Sequence, residues 1–405
     1  MAGPEVIAQH LRTLLGPDAV DDGGPGGIPI VAPRDDAATA LVLGTATQEG
    51  WRVRVSGSGR WMPADAPADL TLSTRRLARV TDLSPRDLVV TVEGGTLWSE
   101  LRGVLADQEV WIALDHVGPD RSVGSIAATG TGGPLRAGFG NLRDQVLGLT
   151  LVTGDGRVLR PGGRVVKNVA GFDLAKLGLG SFGAFGVLTS LTVRLRTVPR
   201  ADVTLVAHGP RDELLARALD ILDQGITPGA LELLSPAATG HDAWTLAVRV
   251  VGRDAEVVAI RDSVRGLLRS DTTDLGPHDA AAFWSSAMTL ATRHPTTLRL
   301  GGLPGALDRV LDLLIHHTAD EWIAASVGTG IVRWSGTARL EDLRVLRHAA
   351  AQMEFPLTLE RAPWSLRSRF GHFGAYREGV GRLVESLRET FDPAGTLVVP
   401  LGNDA

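Results

Sequence analysis

Glycine stands at positions 178, 180, 183 and 186 of the stretch Lys176–Leu195, and the chain then switches to Val187, Leu188, Leu191, Val193 and Leu195. A glycine has no Cβ, so such a backbone can come close to something flat or charged. The alternating run that follows reads as a strand in a buried sheet. Glycine-lined backbone feeding straight into a core strand fixes a large ligand against a rigid scaffold. The stretch closes a longer block, Asp120–Pro199, and the rest of the chain reads as further pieces of one cradle with a lid.

Two upstream stretches have the same character. Trp51–Val55 alternates as a short strand and runs into Ser56, Gly57, Ser58, Gly59, Arg60 and Trp61. Successive backbone N–H groups in such a turn can converge on an anion; an ordinary Gly/Ser hairpin loop is the other reading. Met62 stands where G-x-G-x-x-G needs its third glycine, so this is not that dinucleotide fingerprint. The second stretch, Asp120–Pro134, is dominated by small residues around Gly124, Gly130 and Gly133. Ala127, Ala128 and Thr129 suit the first turn of a short helix, whose N-terminus favours an anion. Packing on a ligand and a flexible linker are both open, with Val123 and Ile126 favouring the former.

Around these, helices are expected over residues 4–16, 33–50, 96–107 and from about 174. Strands are expected at 69–72, 78–80, 88–92, 110–114, 146–152 and 157–160, the last two joined by the Asp-Gly turn at 155–156. Strand–strand–helix–strand order is α+β.

The chain has 405 residues, enough for two or three domains, and a net charge of −5, which argues against a nucleic-acid binder. It has no cysteine, which excludes disulfides, a thiolate nucleophile and an iron–sulfur cluster held by this chain. Glu5, His10 and Arg12 interrupt the first apolar stretch, so no signal peptide is expected, and no apolar run is long enough for a membrane span.

Four segments together resemble a known family. They are Val55–Gly59, Val89–Leu101, Ser122–Gly130 with Gly133, Pro134 and Val146–Gly148, and Gly162–Val187, which contains K-N-V-A-G-F-D at 167–173. Over about residues 30–200 the chain is similar to the FAD-binding PCMH-type flavoproteins, the vanillyl-alcohol oxidase/p-cresol methylhydroxylase fold. Within them it resembles the GlcE-type FAD-binding subunits of glycolate oxidase. The resemblance implies a two-subdomain FAD-binding domain over residues 1–200, an α/β cap (substrate) domain over 201–375, and a C-terminal helix and tail, 376–405, returning to the FAD domain. FAD would touch Ser56, Gly57, Ser58, Gly59, Arg60, Trp61, Ser122, Val123, Gly124, Ser125, Ala128, Thr129, Gly186 and Val187. Relatives that link FAD covalently use a histidine in the first loop. None lies between His10 and His116 here, so non-covalent FAD is expected. His116 replaces a proline common in relatives, Ser125 replaces a second glycine, and the family's N-P-G-R ending is absent after Phe391-Asp-Pro-Ala-Gly395.

The activity implied is that of an FAD-dependent oxidoreductase subunit acting on the CH–OH group of a small 2-hydroxy acid, glycolate or D-lactate. Electrons would pass to a homologous flavin subunit and an iron–sulfur subunit. A cytoplasmic location, peripheral to the membrane's inner face through partners, goes with it. A self-contained oxidase or dehydrogenase on another hydroxylated substrate is the alternative, as is a structural or electron-relay subunit. A 2-hydroxy acid needs an arginine for its carboxylate and a base for its hydroxyl proton. Arg293, His294, Arg299, Arg333 and Arg361 are the candidates after Pro199, and each can equally be structural or solvated. Trp364 with Arg367 and Arg369 could form a partner surface or cover the core. No metal site is expected, since the adjacent pair His316–His317 is not at ligand spacing.

Overall fold

The computed structural model describes residues 3–164, 173–269, 272–318, 322–373 and 379–401. Within them, sheets of four, five and eight strands carry the fold, with a two-stranded ribbon of Val110–Trp111 and Arg196–Thr197.

The small sheet is built around one helix. Asp35 accepts a hydrogen bond from the Ala38 amide at 2.8 Å and so opens the helix Asp36–Glu49, which stops at Gly50 with φ 68°. The helix is the crossover between strands Ile30–Val31 and Val53–Ser56, and both lie parallel to Leu70–Ser73. A short parallel unit therefore sits inside a fold whose larger sheets are antiparallel.

The five-stranded sheet runs Val80–Ser84, Val89–Glu93, Val187–Arg194, Val146–Val152 and Val158–Leu159, every neighbouring pair antiparallel. The strand that follows the glycine run is thus its centre. Leu188, Leu191 and Val193 pack with Val90, Val92 and Leu101, whereas Val187 and Val152 pack with Leu70, Leu72 and Val53 of the small sheet. One end of the central strand therefore joins the two sheets. The C-terminal segment does the same. The Val53 amide donates to Thr396 O at 2.8 Å, and the Val398 amide donates to Val53 O at 3.0 Å.

The eight-stranded sheet has the order Thr272–Leu275, Ala201–Gly209, Trp244–Gly252, Ala230–Leu234, Trp322–Ser326, Ile331–Gly336, Thr296–Gly301, Leu357–Arg361, and all its pairs are antiparallel. Helices Arg211–Asp223, Asp254–Leu268, Leu307–His317 and Leu340–Gln352 cover one face with Leu214, Val264, Leu311 and Leu346. The other face meets the loops that carry Trp61 and Val117 and the helix Pro277–Leu290, with Leu234, Met288 and Ala324 in the same cluster.

Some elements differ from the sequence reading. The strand expected at 110–114 ends at Trp111, because Ala113 O accepts from Gln145 Nε2 and the Leu114 amide turns back to Ile112 O. The helix expected from 174 is only Ala175–Gly178. Strand Ala201–Gly209 and helix Pro277–Leu290 were not anticipated. The helix carries Ala280, Ala281 and Ala282 in sequence, so its apolar period is faint.

Candidate functional site

The first loop leaves strand Val53–Ser56 and is held from behind by Arg54. That buried guanidinium donates to Ala64 O at 2.7 Å, Ala66 O at 3.1 Å, Pro25 O at 3.2 Å and Thr71 Oγ1 at 2.7 Å. Gly59 takes φ 70°, and Gly57 lies so close to the second loop that a Cβ would stand 2.2 Å from Ser122 Oγ. The amides of Ser58, Gly59, Arg60 and Trp61 have no acceptor among the described residues. Arg60 is half-exposed and 3.9 Å from Asp120, which also holds Ser99 at the start of helix Trp98–Ala106.

Trp61 departs from the loop. Its ring is 3% exposed, with Nε1 donating to Glu360 O at 3.2 Å and the Arg121 guanidinium 4.3 Å above it. A Cβ on Gly118 would lie 2.7 Å from that ring, so glycine is what lets the indole in. Trp61 O accepts from Arg361 Nε at 2.8 Å.

In the second loop Ser122 caps the helix Val123–Thr129. Ala128 and Thr129 therefore sit at its C-terminal end, not in a first turn. The amides of Val123, Gly124 and Ser125 are taken by Thr96 O, Gly94 O and Ser122 Oγ. Arg121 is fully buried and donates to Val117 O, Ser125 O, Thr129 Oγ1 and Thr131 Oγ1, the last two at 2.7 Å. Burial pulls its pKa down to about 9.

The third segment lies along the end of that helix. The Gly180 and Phe182 amides donate to Ala127 O and Ala128 O. Gly186 takes φ 147°, and a Cβ there would stand 2.4 Å from Val152 O. Val187 is buried in the core. The K-N-V-A-G-F part of the family motif, 167–172, lies outside the described residues.

Facing the second loop is the inner face of the eight-stranded sheet, and here sheet register gathers charge. Arg333 is directly opposite Ala324 on one side and Arg299 on the other, and Arg299 is opposite Thr358. Like charges side by side are unfavourable. Glu360 answers them, with Arg333 Nε 2.9 Å from one oxygen and Arg299 Nε 2.9 Å from the other. Burial alone would raise the Glu360 carboxyl, but Arg333 and Arg299 hold it below its ordinary value. Arg136 reaches in from the short helix Arg136–Phe139, its pKa lowered by burial and then by Arg299 and Arg333. Glu232 completes the face: it is 3% exposed, and burial pushes its pKa up to about 7. Of the candidates read from sequence, Arg299 and Arg333 come together. Arg361 and His294 meet elsewhere, with Arg361 Nη1 donating to His294 O beside Trp61. Arg293 is exposed. Glu360, Glu232, Arg121 and Arg136 were missed; for Glu232 the signal is a single charge in the otherwise apolar strand Ala230–Leu234.

Arg367 is 3% exposed and tied to Asp65 at 2.8 Å, so it covers the core. A cleft of about 440 Å³ lies beside the site, lined by Trp98, Asp115, His116, Arg249 and Trp284 among others. His116 Nε2 is 2.9 Å from Pro119 O, and burial lowers its pKa. Among the described residues no three His, Asp or Glu side chains gather to hold a metal, and no helix is long and apolar enough to cross a membrane.

Comparison with known proteins gives this geometry a family. Residues 28–162 match the FAD binding domain family. This segment is a PCMH-type FAD-binding domain. Glycolate oxidase subunit GlcE of Escherichia coli is 28% identical over 331 residues, covering 80% of this chain and 85% of that one. The mitochondrial cytochrome-type D-lactate dehydrogenase of Arabidopsis thaliana is 36% identical over 159 residues, which are 39% of this chain and 28% of the relative. Among solved structures, 4-ethylphenol oxidase from Gulosibacter chungangensis superposes with a TM-score of 0.74 at 13% identity, over 97% of this chain and 95% of that one. The PCMH-type fold thus spans nearly the whole chain, which is an FAD-linked oxidoreductase related to glycolate oxidase subunits and D-lactate dehydrogenases. The residues fit the cofactor: unspent amides at 58–61, serine hydroxyls and Arg60 suit a pyrophosphate, and Gly57 lets the first loop pack closely against Ser122 of the second.

Proposed function

We propose that this chain is the FAD-binding subunit of a glycolate-oxidase-like complex and oxidises a small 2-hydroxy acid, passing electrons to a partner subunit. The carrying observation is the excess of positive charge on the buried face opposite the second loop. Arg121, Arg136, Arg299 and Arg333 converge there against Glu360 and a Glu232 carboxyl that is half neutral near pH 7. Such a face suits a small carboxylate. Bound FAD supplies hydride acceptance and electron release.

On this reading the first loop holds the pyrophosphate through the amides of Ser58 to Trp61, with Arg60 adding charge. The second loop contributes through its packing, since the amides of Val123, Gly124 and Ser125 are already spent. Gly186 and Val187 form a backbone wall. Arg333 and Arg299 orient the carboxylate, and the indole of Trp61 with the sheet keeps water out. FAD is held without a covalent bond, because no cysteine exists and no histidine stands between His10 and His116.

The test is a spectrum of the natively purified protein. A flavin band near 450 nm, released into the supernatant by acid and bleached by glycolate or D-lactate, supports the reading. Absence of the band sinks it. Bleaching by the isolated chain without a co-purifying subunit favours a self-contained dehydrogenase instead.

A further inference from the structure

Glu232 is the buried ionisable group to which the reading above assigns no contact with the ligand. It sits on strand Ala230–Leu234, directly opposite Ser326. The two are 3% and 7% exposed, and neither Glu232 Oε1 nor Ser326 Oγ has a hydrogen-bond partner among the described residues. Leaving a buried polar atom unpaired is costly, and natural proteins rarely leave two side by side without a use. Two residues along from Ser326, Ala324 is opposite Arg333, which is opposite Arg299. Directly opposite and i+2 side chains share a face, so the orphaned pair and the arginines look the same way, toward the second loop. Adjacent strands lie about 4.8 Å apart and Arg333 is offset by two residues along them, so the Glu232 and Arg333 backbones are roughly 12 Å apart. Side chains of their lengths close that gap to the span of one small molecule. Above the pair, the segment Arg136–Phe139 is fastened to the sheet, with the Gly138 amide donating to Gly229 O at 3.2 Å.

We propose that Glu232 Oε1 and Ser326 Oγ form the recognition pair for the hydroxyl group of the ligand whose carboxylate Arg333 and Arg299 hold. The inference rests on the carboxylate reading above and makes it specific: the site prefers 2-hydroxy acids over plain carboxylates because Glu232 accepts from, and Ser326 orients, the hydroxyl. Burial pushes the Glu232 carboxyl up to about 7 against the opposing pull of Arg333, and in its ionised form it accepts such a bond.

Two ligands separate the terms. 2-Hydroxyisobutyrate has the hydroxyl but no hydrogen on Cα, so it cannot be oxidised; isobutyrate lacks the hydroxyl. Calorimetric titration of the flavin-loaded protein at pH 8 is expected to show the hydroxy acid binding about tenfold or more tighter, the worth of a hydrogen bond to a charged acceptor. Glu232→Ala should erase that preference while leaving isobutyrate affinity within about twofold, Glu232→Gln should restore part of it, and Arg333→Gln should weaken both ligands. The hydroxyl preference surviving in Glu232→Ala, or absent in the native protein, overturns the proposal. Failure of the native protein to bind either acid instead overturns the carboxylate reading, and the proposal with it. Should Glu232→Ala not fold, Ser326→Ala is the second variant, expected to lose a smaller share of the preference.

Discussion

At the scale of single residues, Glu360 is the side chain whose removal matters most. It is fully buried and is the shared counter-ion of Arg299 and Arg333. Breaking a buried pair by deleting one partner leaves uncompensated charge, which costs about 3–5 kcal/mol. Glu360→Gln is expected to lower stability by about that amount in urea unfolding. His372 is a second such residue. It is buried against Phe182 at 4.1 Å with Nδ1 2.7 Å from Leu359 O, and burial depresses its pKa to about 4. The unfolded histidine, near 6.5, binds its proton more readily than the folded one. Stability contributed by neutral His372 is therefore present above about pH 6.5 and declines as pH falls from there toward 4. Urea midpoints measured across that window should show the decline, and His372→Phe should flatten it.

At the scale of elements, the glycines act through close approach. Gly186 combines φ 147° with a Cβ position 2.4 Å from Val152 O, and it opens the central strand of its sheet. Gly186→Ala is expected to cost about 1–3 kcal/mol and to lower flavin content, read as the ratio of flavin to protein absorbance. The cap of helix Asp36–Glu49 is the contrast. Asp35→Ala should cost about 1 kcal/mol with flavin content unchanged, since the bond it removes is local to the helix end. These positions were largely legible in the chain. Asp35 at a helix start and glycine ahead of an apolar run obey local backbone sterics. The helix Pro277–Leu290 was not legible, because its alanines make little apolar contrast and its partners Trp61 and Trp322 lie far away in sequence.

At the scale of the whole molecule, the FAD-side sheets and the eight-stranded sheet are joined by a strap running from the first loop. Trp61 Nε1 bonds Glu360 O, Arg361 bonds Trp61 O, and Asp65 receives both Arg367 and the Trp364 amide. The loop carrying the unspent amides is thus fastened to the strand carrying Glu360. Trp61→Ala removes a buried ring and a hydrogen bond, at about 3–5 kcal/mol. Calorimetry should then resolve one unfolding transition into two, as the halves lose their coupling.

The glycine run at 178–186 and the strand behind it could be read from the chain alone, because φ preference and apolar alternation are properties of neighbouring residues. So could the two upstream loops and the likeness to FAD-binding proteins that they carry together. The charged face could not. Arg299, Arg333 and Glu360 come from three separate strands, and only the antiparallel register of Thr296–Gly301 between its two neighbours brings them to one place. Trp61 and Glu360, 299 residues apart, meet because a loop on one sheet crosses to another. Local sterics wrote the cradle into the sequence; long-range register and burial decided which charges look into it.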